Sequence, residues 1–351
     1  RELGFATEID NTEAGPQLVA ERAGRDGAPT ALLVGHTDTV FDRGTAARRP
    51  FQVRGARAHG PGVADMKGGL VGMLGAVEAL GALGLLDELH LIAVNNCDEE
   101  ISSHHSRALI ESAARWAQAA LVFEPGRADG AIVTARKGGQ GYQLTVTGRA
   151  AHAGVNPQDG ASAVEALARK VQALHGLNDH AAGLSVNVGV VRGGSRANVV
   201  ADWASAMVDV RVPTPELARR VKADIQAIAA REELPGTRAE LVMDSERDPM
   251  VFGEATRPLL AAFEGVAKAL GFSLRTTSTG GGSDGNFTAA LGVPTLDALG
   301  PVGGGYHSAD EYIEVDSLPQ RAALAAGGLL AWARGAACGA RCGGASCRER
   351  V

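Results

Sequence analysis

The sequence predicts an α/β protein with a doubly wound, mainly parallel sheet and an inserted ferredoxin-like α+β domain (βαββαβ). Three short apolar runs, at residues 31–34, 89–95 and 120–123, are typical of buried strands. Residues 68–85 and 103–119 lie between these runs and space their apolar side chains as helices do. Strands that alternate with helices through long connections form doubly wound parallel sheets.

A different pattern begins at residue 141. The alternation of apolar and polar residues at 142–147 predicts a strand. The elements that follow are a helix at 161–174, strands at 184–191 and 204–212, a helix at 215–231 and a strand at 238–243. This order is that of the ferredoxin-like split unit. We therefore predict a main domain in two parts, 1–137 and 248–335, an inserted domain at 138–247 and a disordered tail at 336–351.

The composition excludes several classes of protein. At 351 residues the chain is long enough for two domains. Its 34 Lys and Arg residues against 40 Asp and Glu residues give a net charge of −6, so we expect no basic surface and no nucleic-acid partner. No apolar run approaches the roughly 18 to 20 residues that a membrane span needs, so we expect no membrane association.

Cysteine usage and the start of the chain bear on the compartment. Four cysteines are too few for a disulfide scaffold of this size, which favours a reducing, cytoplasmic location. Cys338, Cys342 and Cys347 lie in the tail, where a frayed terminus is a simpler interpretation than a metal site. The chain starts at Arg1 without Met, in what reads as the end of a helix leading into a strand, so we expect an N-terminal truncation. Loss of a signal sequence would instead indicate a periplasmic or secreted protein.

Histidines and carboxylates stand where the predicted strands of the main domain end. They are His36, Asp38, Asp65, Asp98, Glu99, Glu100, Glu124 and, much later, His307. In a doubly wound sheet the chemistry lies beyond the carboxyl ends of the strands. Buried carboxylates stay charged only when they are paired or bound to metal, so the cluster predicts a cation site. Imidazole with carboxylate suits zinc, with cobalt or manganese as alternatives, and one carboxylate between two ions is typical of two-metal hydrolases.

Each motif taken alone has a simpler interpretation. His36-Thr-Asp38 resembles a capped turn, residues 60–69 resemble a glycine loop before a helix, and Glu99-Glu100 resembles a solvated helix start. A lone His307 after three glycines is more often a loop residue than a ligand. The order and setting of the motifs favour a site.

Eight motifs occur together in one order over about residues 30 to 330. They are Gly35-His-Thr-Asp-Thr-Val40, Gly60-Pro-Gly-Val-Ala-Asp-Met-Lys-Gly-Gly69, Asp98-Glu-Glu100, Phe123-Glu-Pro125, Gly148-Arg-Ala-Ala-His-Ala-Gly154, Asn198-Val-Val200, Gly280-Gly-Gly-Ser-Asp284 and Gly305-Tyr-His307. The set resembles the di-zinc aminoacylase and carboxypeptidase family, which includes acetylornithine deacetylase, succinyl-diaminopimelate desuccinylase and glutamate carboxypeptidase. The forms of the first, second and last motifs are most similar to the glutamate carboxypeptidase branch.

The resemblance implies a set of ligands and roles in the main domain. It places one metal ion on His36, Asp65 and Glu124 and a second on Asp65, Glu100 and His307, both being zinc or, as alternatives, cobalt or manganese. It also makes Glu99 the general base, Asp38 the residue that orients His36, and Asp98 a supporting acid. A cis peptide bond is implied after Asp65. Glycines are usual in the family after the double Glu, where this chain has Ser102 and His105.

The inserted domain receives further implied roles. In the resemblance His152 reaches the active site of the neighbouring subunit and binds the developing oxyanion, which implies a homodimer built through this domain. Asn198, Arg247 and Gly281 are implied to contact the substrate. Among these, Arg247 suits the bidentate pairing of a guanidinium with a substrate carboxylate. His152 read by itself, between alanines, is more typical of a structural histidine.

The implied reaction is hydrolysis of an amide bond. It releases a glutamate-like C-terminal amino acid from a peptide or N-acyl amino acid, by a water lying between the metals that Glu99 activates. The alternatives are an N-acyl amino acid deacylase and an inactive metal-binding fragment. The substrate is in each enzymatic case a small molecule or peptide with a free carboxylate.

Overall fold

The chain folds into two units in a computed structural model, which describes the backbone of residues 2–341 and the side chains of residues 2–336. Unit 1 comprises the chain up to Ala135, Phe252–Thr279 and the chain from Ser283 onward, and unit 2 comprises Arg136–Val251 with Gly280–Gly282. No helix in the described part of the chain is long and apolar enough to cross a bilayer.

The elements before the insertion are mostly short. The strands are β1 (Ala6–Thr12), β2 (Gly15–Arg22), β3 (Thr30–His36), β4 (Gln52–Arg54), β5 (Arg57–His59), β6 (His90–Asn96), β7 (Ala119–Val122) and β8 (Ile132–Arg136), and the helices are α1 (Thr45–Arg48), α2 (Gly69–Ala82) and α3 (Arg107–Ala114).

The inserted unit and the end of the chain supply the other elements. Unit 2 contains β9 (Gly138–Thr147), α4 (Ala163–His175), β10 (Ser185–Gly193), β11 (Trp203–Val212), α5 (Pro215–Ala230) and β12 (Arg238–Arg247). The chain then forms α6 (Arg257–Ala269), β13 (Thr276–Thr279), α7 (Gly285–Ala290), β14 (Thr295–Leu296), β15 (Gly303–Gly304), β16 (Tyr312–Glu314) and α8 (Ser317–Arg341).

Unit 1 is built on a six-stranded sheet in the order β1-β2-β6-β3-β7-β14. The strands β6, β3, β7 and β14 are parallel, as predicted, whereas β2 runs antiparallel to β6. The middle residues of β3 and β6 and all of β7 are apolar, as is typical of strands whose two faces are both covered. Leu33 belongs to a core cluster that includes residues of α2, α6 and α8, and Leu32 belongs to a second cluster that includes residues of α3 and α7.

Two features of unit 1 differ from the sequence prediction. The strands β1 and β2 form a hairpin at the edge of the sheet, in a region where the sequence predicts only the beginning of a strand. Most of β1 is exposed, so its apolar alternation is too weak to identify it. The predicted tail at 336–351 is also wrong in its first residues, because α8 continues to Arg341. Alanines in this stretch favour the helix. Residues 342–351, with Cys342 and Cys347, lie outside the described part of the chain.

Unit 2 has the β-α-β-β-α-β order that the sequence predicts. Its four antiparallel strands lie in the order β10-β11-β9-β12. Alternate residues of β9 point into a core that α4 and α5 cover, beginning with Tyr142 and Leu144. Both helices start at side-chain caps. The hydroxyl of Ser162 accepts a hydrogen bond from the backbone N–H of Glu165, and the hydroxyl of Thr214 accepts one from that of Leu217. The edge strand β10 leaves apolar side chains exposed, including Val190 and Val191.

Candidate metal centre

The strand ends of unit 1 bring the predicted ligands to one edge of its sheet. His36 is the last residue of β3 and pairs with Asn96, the last residue of β6. Glu99 and Glu100 follow β6 in a short helical turn, and Glu124 follows β7. Parallel strands in register end together, so these side chains meet because of the sheet itself.

A glycine-rich loop brings Asp65 to the same edge. Gly62 adopts a left-handed backbone (φ 74°), and a Cβ added there would lie 2.5 Å from Cγ2 of Thr39. A Cβ on Gly69 would overlap the carbonyl oxygen of Phe123, so only glycine allows the start of α2 to lie against the end of β7. The peptide bond between Asp65 and Met66 is cis, as the resemblance implies.

The five predicted ligands contact one another through Asp65. Its Oδ1 lies 3.1 Å from Nε2 of His36, which is also 3.6 Å from Oε1 of Glu124. Its Oδ2 lies 3.2 Å from Nε2 of His307, which is 3.4 Å from Oε2 of Glu100. The two oxygens of one carboxylate therefore face two different imidazoles, each with a second acid beside it.

Glu99 lies among these groups as well. One ligand atom from each of His36, Glu99 and Glu124 falls within 4.8 Å of the others, and so do atoms of His36, Asp65 and Glu100. Distance alone thus does not separate Glu99 from the five predicted ligands. Its separate role as a base stays a prediction.

Asp38 fixes the orientation of the His36 ring. Its Oδ1 lies 3.2 Å from Nδ1 of His36, and its backbone oxygen lies 3.3 Å from the same atom. Two acceptors at Nδ1 keep the proton on that nitrogen, so Nε2 is the atom available to a cation. The second carboxylate oxygen of Asp38 accepts the backbone N–H of Glu100 at 2.9 Å.

Asp98 stabilises the backbone rather than contacting the ligands. This fully buried carboxylate accepts the backbone N–H groups of His105 and Ser106 at 2.7 and 3.2 Å. The turn it supports is tight. Ser102, where the resemblance implies glycine, adopts the left-handed backbone (φ 78°) that glycine favours.

The charge balance of the cluster favours a bound cation. Burial, reinforced by the charge of Asp65, raises the pKa of Glu124 well above its usual value and that of Glu100 to about 7. Burial alone would lower the pKa of His36, but its contacts with Asp38 and Asp65 outweigh burial and raise that pKa well above normal. Oε1 of Glu100 is buried without a hydrogen-bond partner.

Without a metal, the repulsion among these carboxylates is relieved only when some of them bind protons and become neutral. A divalent cation balances the negative charge while the carboxylates stay ionised. Imidazole nitrogens and carboxylate oxygens are ligands that zinc, cobalt and manganese accept. The residues at this edge of unit 1 therefore fit the metal that the resemblance implies.

The remaining predicted site residues lie in unit 2. Nδ1 of His152 accepts the backbone N–H of Gly154 at 3.1 Å, and the neighbouring Ala153 donates its N–H to the carbonyl of Asn198 at 3.0 Å. The segments that carry His152 and Asn198 are thus paired within this unit. Arg247 is the last residue of β12, and the carbonyl of Gly281 accepts a bond from Arg136 at 3.2 Å.

Comparison with known proteins decides the family. A profile of the peptidase family M20/M25/M40 matches residues 32–330. The chain belongs to this family. Carboxypeptidase G2 of Pseudomonas sp. (strain RS-16) is 32% identical over 332 residues, which cover 93% of this chain and 80% of the relative. Succinyl-diaminopimelate desuccinylase of Dechloromonas aromatica (strain RCB) is 27% identical over 340 residues, which cover 92% and 88% of the two chains.

A solved structure shares the fold. Aminopeptidase PepT from Bacillus cereus ATCC 10987 matches with a TM-score of 0.77 at 24% identity, over 95% of this chain and 90% of that one. Membership of the M20 family confirms the predicted activity class. The protein is a metal-dependent hydrolase of amide bonds that acts on peptide or amino acid substrates, and its likeness to a carboxypeptidase agrees with the branch that the motifs favour.

The pKa values of the metal centre predict how pH acts on the metal-free protein. The folded state holds protons on Glu100, Glu124 and His36 that the unfolded chain releases at lower pH, because all three pKa values are raised. The stability of the metal-free protein should therefore fall as the pH rises from about 5 through about 7 and beyond.

Zinc binding is expected to displace these protons. The apparent affinity of the protein for zinc should therefore rise about tenfold per pH unit for each proton displaced. Zinc titration and thermal unfolding between about pH 5.5 and about pH 8 measure both effects, and a zinc affinity that does not change with pH would contradict this account.

Proposed function

We propose that this enzyme is a two-metal carboxypeptidase that releases a glutamate-like C-terminal amino acid from a peptide or N-acyl amino acid. The observation that carries the proposal is the position of Asp65, whose two oxygens face His36 and His307 separately. His36, Asp65 and Glu124 would hold one ion, and Asp65, Glu100 and His307 the other. The ions are zinc, with cobalt or manganese as alternatives, and when bound they supply Lewis acidity and a lowered pKa for water.

Glu99 moves the proton in this proposal. A carboxylate oxygen of Glu99 lies within 4.8 Å of atoms of His36 and Glu124, at the edge where the substrate carbonyl would meet water. This oxygen accepts a proton from the attacking water and returns it to the nitrogen of the departing amine. Asp38 contributes by keeping the proton of the His36 ring on Nδ1.

His152 supplies a hydrogen bond to the oxyanion of the transition state. Since Nδ1 accepts the amide of Gly154, the neutral ring carries its proton on Nε2 and donates from there. We place this group in the active site of the partner subunit of a homodimer. Val190 and Val191 on the edge strand β10 and Val164 on the adjacent helix α4 are exposed apolar side chains, and such a surface supports association through unit 2.

The substrate carboxylate would be bound by unit 2 as well. Arg247 offers a planar fork of N–H donors that matches a carboxylate, and Asn198 and the loop of Gly281 complete the proposed contacts. The likeness to succinyl-diaminopimelate desuccinylase supports a second candidate, an N-acyl amino acid deacylase. An inactive metal-binding fragment is disfavoured, because all five predicted ligands and Glu99 meet at one edge.

Replacing Glu99 with Gln should leave the metal content unchanged and lower kcat by about 10²-fold to 10⁴-fold, because the amide cannot accept the proton. Elemental analysis of the purified variant and steady-state hydrolysis measure the two quantities. Glu111→Gln, which alters an exposed ion pair with Arg107 on α3, is the matched control and should keep full activity. Substantial turnover by the Glu99→Gln variant would remove Glu99 from its role.

Mixed dimers test whether His152 acts across the interface. Dimers of Glu99→Gln alone and of His152→Ala alone should be nearly inactive. When the two variants are co-expressed and assort randomly, a site that joins intact Glu99 to the partner's intact His152 is restored, so activity should recover to about a quarter of wild type. No recovery in a preparation that contains mixed dimers would place His152 in the active site of its own subunit. Full activity of the His152→Ala dimers would instead place His152 outside the reaction.

A substrate panel distinguishes the two candidate functions. With zinc, cobalt or manganese, we expect kcat/KM to be highest for peptidyl and N-acyl glutamates and to fall for the same acyl groups on neutral or basic amino acids, because only glutamate offers a side-chain carboxylate in addition to the α-carboxylate that all these substrates share. The measurement is release of free amino acid. Hydrolysis of acetyl amino acids without hydrolysis of peptide-like acyl-glutamates would instead favour the deacylase.

A further inference from the structure

A buried carboxylate holds the loop that carries Asp65. Glu311 is only 1% exposed and lies four residues after His307, just before β16. Its Oε2 accepts the backbone N–H of Gly62 at 2.7 Å, and its Oε1 accepts those of Ala64 and Asp65 at 2.9 and 3.0 Å. Three amides of one loop thus converge on a single acid.

We propose that Glu311 is a positioning residue of the metal centre. By accepting the amides of the loop, it fixes the backbone from which the Asp65 carboxylate projects, and so sets the direction in which the two oxygens of Asp65 face. This inference rests on the proposed function, in which Asp65 is shared by two ions. Glu311 lies outside all eight sequence motifs.

The chemistry of the contact requires a carboxylate. An ionised Glu is an acceptor at both oxygens, and bonds to a charged acceptor are stronger than neutral ones. A Gln in this position has one carbonyl oxygen and one NH2 group, so at least one loop amide would face another donor. Ala64 is fully buried and Gly62 is buried as well, so bulk water has no access with which to replace the lost acceptor.

The segment that carries His307 and Glu311 is also linked to the loop that carries Asp65. Tyr312 of β16 pairs with His59 of β5, the strand that leads directly into the loop at Gly60. The segment that provides His307 therefore also anchors the strand before the loop, through β16, and the loop itself, through Glu311. A change at Glu311 should act on Asp65, the ligand common to both ions, rather than on one ion alone.

The test compares zinc affinity in four folded, metal-free proteins. They are the wild type, Glu311→Gln, Asp65→Asn as the direct ligand change, and Glu314→Gln as the matched control, since Glu314 lies on the same segment but pairs with Arg57 at a half-exposed site. Competition with a chromophoric chelator measures both zinc-binding steps, and thermal unfolding and circular dichroism establish the fold of each metal-free protein.

We expect Glu311→Gln to weaken both zinc-binding steps by about 10-fold to 100-fold, Asp65→Asn to weaken them at least as much, and Glu314→Gln to bind as the wild type does. A Glu311→Gln protein with lowered stability but wild-type zinc affinity would overturn the proposal, because Glu311 would then support only the fold. If Asp65→Asn binds zinc normally, the proposed metal site itself fails, which is a distinguishable result.

A second variant covers a failure to fold. Glu311→Asp keeps both oxygens and the charge but shortens the side chain by one methylene, so it should fold more readily than Glu311→Gln. We expect it to weaken both zinc-binding steps to a smaller extent. Wild-type zinc affinity in a folded Glu311→Asp protein, with Asp65→Asn impaired, would also overturn the positioning role.

Discussion

The repulsion among carboxylates gathered at one edge of a buried sheet governs the chemistry of this protein. Asp65, Glu100 and Glu124 lie within reach of two imidazoles, and burial raises the pKa of the two glutamates. Such a group of acids stays charged at neutral pH only if cations occupy the space between them. Metal binding is therefore the condition under which this edge of the sheet is electrostatically stable.

The fold positions the ligands for metal binding mainly through the backbone segments that carry them. Because β3 and β6 are parallel and in register, His36 and the turn after Asn96 lie side by side at the same edge of the sheet. Glycine at position 69 allows α2 to start against the end of β7. Asp65 then projects from a loop whose amides are held by Glu311. Ligands presented in this way need little rearrangement to bind an ion, which is how a preorganised site gains affinity.

Much of this arrangement is readable in the sequence. The apolar runs identify the parallel strands, and the ferredoxin-like order of unit 2 follows from alternation and helical spacing. The accumulation of histidines and acids at strand ends predicts a cation site without any comparison. The assignment of each ligand to one of two ions follows only from the resemblance, because the positions of residues in a sequence do not give the distances between their side chains.

Other features leave no pattern that sequence reasoning recognises. β1, the outer strand of the hairpin, is mostly exposed at the sheet edge, so its alternation is weak. Glu311 acts on backbone amides, which every residue type except proline provides, so no partner side chain marks its role. The tight turn after Glu100 depends on the left-handed backbone of Ser102, and a serine in the sequence does not predict this conformation.

Anomalous diffraction at the zinc edge, from crystals of the zinc-loaded protein, tests the central claim most directly. We predict two peaks, one at bonding distance (about 2.0 to 2.2 Å) from Oδ1 of Asp65 and the other from Oδ2. His36 and Glu124 should complete the first site, and Glu100 and His307 the second. A single peak, or peaks that do not share Asp65, would contradict the account.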